Sequence, residues 1–182
     1  MHFMPHLLGI EDLTREQIEH ILDTAKGAPA LEDLGFNANS LRAINEAAKK
    51  TSGIILVTGP TGSGKTTTLY SALTELNKTT VNISTAEDPV EINISGLNQV
   101  NVNPKAGLTF ASALRSFLRQ DPDAILLGEI RDKESAEAVI QSSHTGHLIL
   151  STIHGRNVFD CIKRLKSFGM DPYAVGDVVK LL

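Results

Sequence analysis

Residues 59–66 read Gly59-Pro60-Thr61-Gly62-Ser63-Gly64-Lys65-Thr66, with Thr67 and Thr68 following. The spacing fits Gly-x-x-x-x-Gly-Lys-[Ser/Thr], a loop built to hold phosphate. Its glycines let the backbone curl until consecutive N–H groups point at phosphate oxygens. Lys65 is placed to reach the β- and γ-phosphates, and the Thr66 hydroxyl to ligate Mg²⁺. A helix starting there would aim its positive end at the anion. Three further groups carry chemistry: Glu87-Asp88-Pro89-Val90-Glu91, Gly128-Glu129-Ile130-Arg131-Asp132, and His154. Acids beside a phosphate loop hold Mg²⁺ or orient an attacking water. Glu129 is the first choice for polarising water. Glu87, Asp88 and Glu91 would support the metal or the water, with Asp88 beside Thr66 as a metal ligand. His154 would contact or sense the γ-phosphate. Helix capping, above all at Asp132, is the alternative use for such loop acids.

The elements that must position these residues alternate. Ile54-Ile55-Leu56-Val57 is a short, wholly apolar, β-branched run, the mark of a strand buried on both faces. Helix is expected over 40–50, capped at Asn39 or Ser40, and over 65–77, with strands over 81–85 and 99–102. Thr109 should cap a helix to Gln120. Asp121-Pro122-Asp123 breaks the chain before a strand at 124–127. Asp132 opens a helix to about Ser143, where His144 would favour its C-terminus. A strand is expected over 147–152, a helix over 157–168, and a last helix from Pro172 into the C-terminus. Alternation of this kind argues an α/β fold with a mostly parallel sheet flanked by helices. Each reactive cluster then sits just past a strand end, where open parallel sheets place ligands.

Composition excludes several classes. The 182 residues are 41% hydrophobic and 21% charged, ordinary for a globular protein, with one cysteine, Cys161, and so no internal disulfide. No apolar run approaches the ~20 residues of a membrane span, so no membrane insertion is expected. Net charge is −4, which gives no broad electrostatic grip on nucleic acid. Residues 1–36 carry seven acids and two bases, an acidic leader with a charge boundary near Gly35. Thr14 and Gln17 form a capping-box pattern ahead of an apolar stripe in that leader.

Residues 34–182 resemble the ATPase core of the type II secretion/type IV pilus assembly ATPase family. The segments that carry the likeness are Gly59–Tyr70, Ala86–Glu91, Asn98–Pro104, Leu114–Asp123, Gly128–Asp132 and Thr145–His154. The resemblance implies a RecA-like P-loop core, a hexameric motor, and ATP with Mg²⁺ as ligands. It implies a Walker A box at 59–66, an aspartate box at Glu87–Glu91, a Walker B box at Leu126–Asp132 with Glu129 as its acid, and a histidine box at His147–His154. It further implies a cytoplasmic location, peripheral at the inner membrane through the platform of a secretion or pilus machine.

The sequence also departs from the family pattern. Gly155-Arg156 stands where the family more often has Thr-Asn, and Arg156 reads as either a phosphate contact or, the favoured reading, a solvated cation. Arg115, Arg119 and Arg131 could in principle act across a subunit boundary, but the family places site-completing arginines largely in an N-terminal half not represented here. This raises the alternative of a nucleotide-binding fragment or designed hybrid with little turnover; a nucleic-acid-linked motor is a more distant one. The leader, 6–23, resembles the first helix of aspartate or ornithine carbamoyltransferases and suggests a foreign or fused segment. The domains expected are therefore a helical leader, 1–36, and a core, 37–182, truncated at both ends.

Overall fold

The computed structural model describes residues 28–181. The expected leader helix and the carbamoyltransferase-like stretch lie outside them. Six strands form one sheet: β1 Gly53–Thr58, β2 Ile83–Glu87, β3 Asn98–Asn101, β4 Ala124–Leu127, β5 Leu148–Ile153 and β6 Val179–Leu181. Every neighbouring pair is parallel, in the order β3-β2-β4-β5-β1-β6. Among the described residues six α-helices flank it: α1 Ala38–Ala48, α2 Lys65–Leu76, α3 Phe110–Phe117, α4 Lys133–His144, α5 Val158–Ser167 and α6 Pro172–Val178.

The strands are apolar on both sides because both faces are covered, as parallel sheets require. Ile54, Ile125, Leu127 and Ile149 pack with α3, α4, α5 and α6 on one face. Ile55, Leu126, Leu148 and Leu150 pack with α1 and α2 on the other. The strand period of two thus sorts each β-run between two cores. Thr109 and Asp132 start their helices as expected, whereas the cap of α1 is Asn37, not the expected Asn39 or Ser40. Thr109 with Ser112 makes a capping box on α3, and Asp132 with Ser135 makes another on α4.

Three further expectations are corrected. The second strand runs to Glu87, two residues later than 85. A turn closed by Val81 N–H to the Lys78 carbonyl, and the Asn82 N–H bound to the Asp123 carboxylate, hold 81–82 outside the ladder. The last helix stops at Val178, and residues 179–181 pair instead with the open edge of β1. The charge boundary near Gly35 is not a packing boundary. Leu31 is fully buried in the α1–α2 core, joined by Ala28, Leu34 and Phe36.

Candidate nucleotide site

β5 lies between β1 and β4, and the register aligns their carboxyl ends, with Thr58 opposite Ile153 and Leu127 opposite Ser151. Cross-strand hydrogen bonds tie the segments leaving those ends. Gly128 N–H donates to the Ala86 carbonyl (2.8 Å), Ile130 N–H to the Thr152 carbonyl (2.9 Å), and the Thr152 hydroxyl to the Gly128 carbonyl (2.7 Å). The loop after β1, the acidic turn after β2, Glu129 after β4 and His154 after β5 therefore converge.

The phosphate loop takes the shape its glycines were expected to permit. Gly59, Gly62 and Gly64 have φ of 153°, 78° and 87°, values that side chains disfavour. α2 begins at Lys65, so its first-turn N–H groups have no helical partner and are available to an anion. The Lys65 ammonium donates to the Gly59 and Pro60 carbonyls (3.0 and 2.8 Å).

Two cavities flank the start of α2. One, of about 320 Å³, is lined by Thr61, Lys65, Thr66, Glu87, Asp88, Glu91, Glu129, Arg131 and His154. It brings together the four expected acids, the histidine and the lysine. The other, of about 640 Å³, lies among Ser63, Gly64, Thr67 and Thr68 and the apolar side chains of Leu34, Phe36 and Ile44. A largely apolar slot of this size accepts a flat heteroaromatic ring. Sequence reasoning missed this second cavity. Leu34 and Phe36 were grouped with an acidic leader by charge, and the one available signal was an aromatic just ahead of a helix cap.

The acids do not stand alike. Glu129 is held on both oxygens: His154 Nε2 lies 3.1 Å from Oε1, and Arg131 Nε 2.8 Å from Oε2. Arg131 also reaches Asp88 (3.1 Å) and lies over the Phe110 ring, 5.5 Å from its centroid. The hydrogen bond to Glu129 strengthens the guanidinium's hold on its proton, against the opposing effect of burial. Arg131 is thus committed within its own subunit, and Arg115 pairs with Glu134 at 3.0 Å. The sequence left both open to act across a subunit boundary, a role the resemblance places largely in another part of the family's chain. Glu91 Oε1 lies 3.4 Å from the Thr66 hydroxyl. Glu87 is the last residue of β2, 3% exposed, and accepts from Tyr70, Thr85 and Gln99. Strand alternation puts it on the α2 face with Ile83 and Thr85. Asp88 faces Arg131, and Glu91 is the carboxylate beside Thr66.

His147 is at the opposite end of β5 from His154, its ring beside Thr145 and the Ser142 carbonyl. Of the two histidines that delimit the expected histidine box, only His154 reaches the site. Arg156 is a solvated cation as expected, its side chain 91% exposed and paired with Asp160 at 3.2 Å.

The family described as Type II/IV secretion system protein matches residues 13–182. The chain belongs to that family. The match to the Type II/IV secretion system protein family includes part of the acidic leader. Relatives within it include a type IV pilus assembly ATPase of Acinetobacter baylyi, 50% identical over 98% of this chain and 30% of that protein. Another is the type II secretion system protein E of Pseudomonas aeruginosa, 50% identical over 84% of this chain and 30% of that protein. Among solved structures, a pilus retraction motor with bound ADP superposes with a TM-score of 0.69 at 39% identity, covering 77% of this chain and 41% of that one. The fold is the RecA-like P-loop fold of secretion ATPases. The chain spans about 30% of the length of the curated relatives described.

Proposed function

We propose that this chain is the ATP-binding and ATP-hydrolysing core of a type IV pilus assembly or type II secretion motor. The observation that carries the reading is the convergence of Lys65, Thr66, Glu91, Glu129 and His154 on one cavity beside the phosphate loop. Lys65 would exchange its two loop carbonyls for β- and γ-phosphate oxygens. The base would enter the apolar slot lined by Leu34 and Phe36. Thr66, Asp88 and Glu91 are hard oxygen donors, the chemistry Mg²⁺ selects. Thr66 would hold the ion, with Glu91 beside it and with Asp88, whose carboxylate pairs with Arg131, as a further carboxylate of the same cavity. Bound there, Mg²⁺ would supply neutralisation of phosphate charge. Glu129, oriented from both sides, would polarise the attacking water, with Glu87 or Glu91 the alternative. His154 would report the γ-phosphate to α5, which begins four residues later.

In the working motor the core would sit in a hexamer against an inner-membrane platform at the cytoplasmic face. Phe159 (74% exposed) on α5 and Tyr173 (85% exposed) on α6 present apolar area suited to a neighbouring copy. No helix among the described residues is long and apolar enough to cross a membrane.

Fluorescent-ATP titration of the parent and of Lys65→Ala tests the reading. Losing a charge-assisted phosphate contact should weaken Mg·ATP binding roughly 10- to 100-fold. Equal affinity in the two proteins removes the phosphate-loop assignment. Arg131 is spent on its own Glu129 and Asp88, which favours a second reading in which the isolated core binds nucleotide but turns it over slowly. Steady-state ATPase assays over a range of protein concentrations separate the two.

A further inference from the structure

Tyr70 lies on α2 one turn beyond Thr66, and its side chain is 1% exposed. A buried phenol needs a hydrogen-bond partner, and this one has two. Its hydroxyl donates to Glu87 Oε2 and accepts from the backbone N–H of Glu91 at 3.2 Å. Burial first, and then the hydrogen bond to Glu87, push the phenol up to about 12. It therefore remains a donor throughout the working pH range.

Glu87 is equally confined. It accepts from the Thr85 hydroxyl (2.5 Å) and from Gln99 Nε2 (3.4 Å) as well as from Tyr70. Gln99 in turn donates to the Ile92 carbonyl (3.0 Å) and accepts from the Ile94 N–H (2.7 Å). A buried carboxylate is tolerated only when its lone pairs are satisfied in this way. The network fastens the turn that leaves β2 at two places, Glu91 on the α2 side and residues 92–94 on the β3 side. Thr66 and Tyr70 share one helix face. Glu91 is gripped by Tyr70 at its backbone and lies beside Thr66 at its carboxylate.

We propose that Tyr70 is a positioning residue that sets the Glu91 carboxylate against Thr66, with Glu87 as its buried anchor. Glu87 does not itself touch nucleotide. This assignment rests on the nucleotide-site reading above and adds to it the part of the helix that aligns the acidic turn with the metal ligand.

The experiment measures binding of a fluorescent ADP analogue with Mg²⁺ and with EDTA, and takes the ratio of the two affinities. Tyr70→Phe removes one hydroxyl and keeps the ring. It should leave the Mg²⁺-free affinity within about twofold and reduce the Mg²⁺-dependent gain on the order of fivefold, the size of one lost hydrogen bond. Glu91→Gln should lose the gain as well, and the double variant should lose no more than Glu91→Gln alone. Ser71→Ala removes the neighbouring buried hydroxyl, which has no hydrogen-bond partner among the described residues, and should leave the ratio unchanged. If Tyr70→Phe does not fold, Gln99→Ala loosens the same network from its half-buried end and should lower the ratio in the same direction. A full Mg²⁺ gain in Tyr70→Phe, an equal loss with and without Mg²⁺, or additive losses in the double variant would each overturn the proposal. A parent that binds no nucleotide overturns the site reading itself, which is a different result from a parent that binds normally beside an unaffected Tyr70→Phe.

Discussion

Gly155 follows His154 in the loop from β5 to α5, and the space at its Cα is closed. A Cβ there would lie 2.7 Å from Cys161 Sγ, 3.2 Å from the Thr58 hydroxyl and 3.3 Å from the Cys161 backbone nitrogen. The sulfur belongs to a fully buried side chain in the core under α5, so it cannot swing into solvent. The loop cannot easily retreat either, because the Gly155 carbonyl accepts from the Thr58 hydroxyl at 2.8 Å. Gly155→Ala must therefore open the contact by several tenths of an ångström against packed atoms. Overpacking of that kind costs about 1–3 kcal/mol. In a domain of this size, each kcal/mol is worth about 2–4 °C of Tm. The displaced backbone carries His154, whose ring lies 3.1 Å from Glu129, so turnover should fall with stability. Cys161→Ala removes the obstructing sulfur. Urea unfolding of the parent, both single variants and the double should show the second substitution relieving the first, with a coupling of about 1 kcal/mol or more. Additive losses in the double variant, or a Gly155→Ala protein as stable as the parent, would refute the steric reasoning.

Glu129→Gln should retain nucleotide affinity and lower hydrolysis roughly 10²–10³-fold, the usual effect of losing one preorganised electrostatic contact; unchanged turnover would move the catalytic acid to Glu87 or Glu91. At alkaline pH, Tyr70 has the opposite consequence from a paired carboxylate. Its pKa is raised from 10.0 to about 12 in the folded chain, so its contribution to stability is intact below pH 10 and is lost as pH rises towards 12. The difference in urea midpoint between the parent and Tyr70→Phe should narrow across that interval, and a constant difference would contradict the buried, donating phenol.

Much of the site was legible because its parts are contiguous. The apolar run 54–57, the glycine-spaced loop and Lys65-Thr66 lie within 13 residues, and strand, turn and helix signals there reinforce one another. Asp132 and Thr109 were readable as helix starts because a cap acts over three residues. The likeness to secretion ATPases was carried by the same kind of short, dense segment.

What the sequence determined by itself was therefore the set of reactive groups and the order of elements that carry them, since both depend on interactions within a few residues. Tertiary structure decided how those groups are spent. Whether Glu87 lay in the loop past β2 or packed against α2 turned on where β2 ends: because the strand runs to 87, Glu87 stays in the ladder on the face of Ile83 and Thr85. Arg131 was equally charged on either reading; pairing across 43 positions to Asp88 bound it within its own subunit. The final residues became a strand rather than more helix because the edge of β1 offered unpaired backbone groups. Leu34 and Phe36 line a cavity beside the phosphate loop only because the chain folds them back over α2. No local pattern encodes such choices, since their energy comes from partners far apart in the chain that meet only once the sheet has formed.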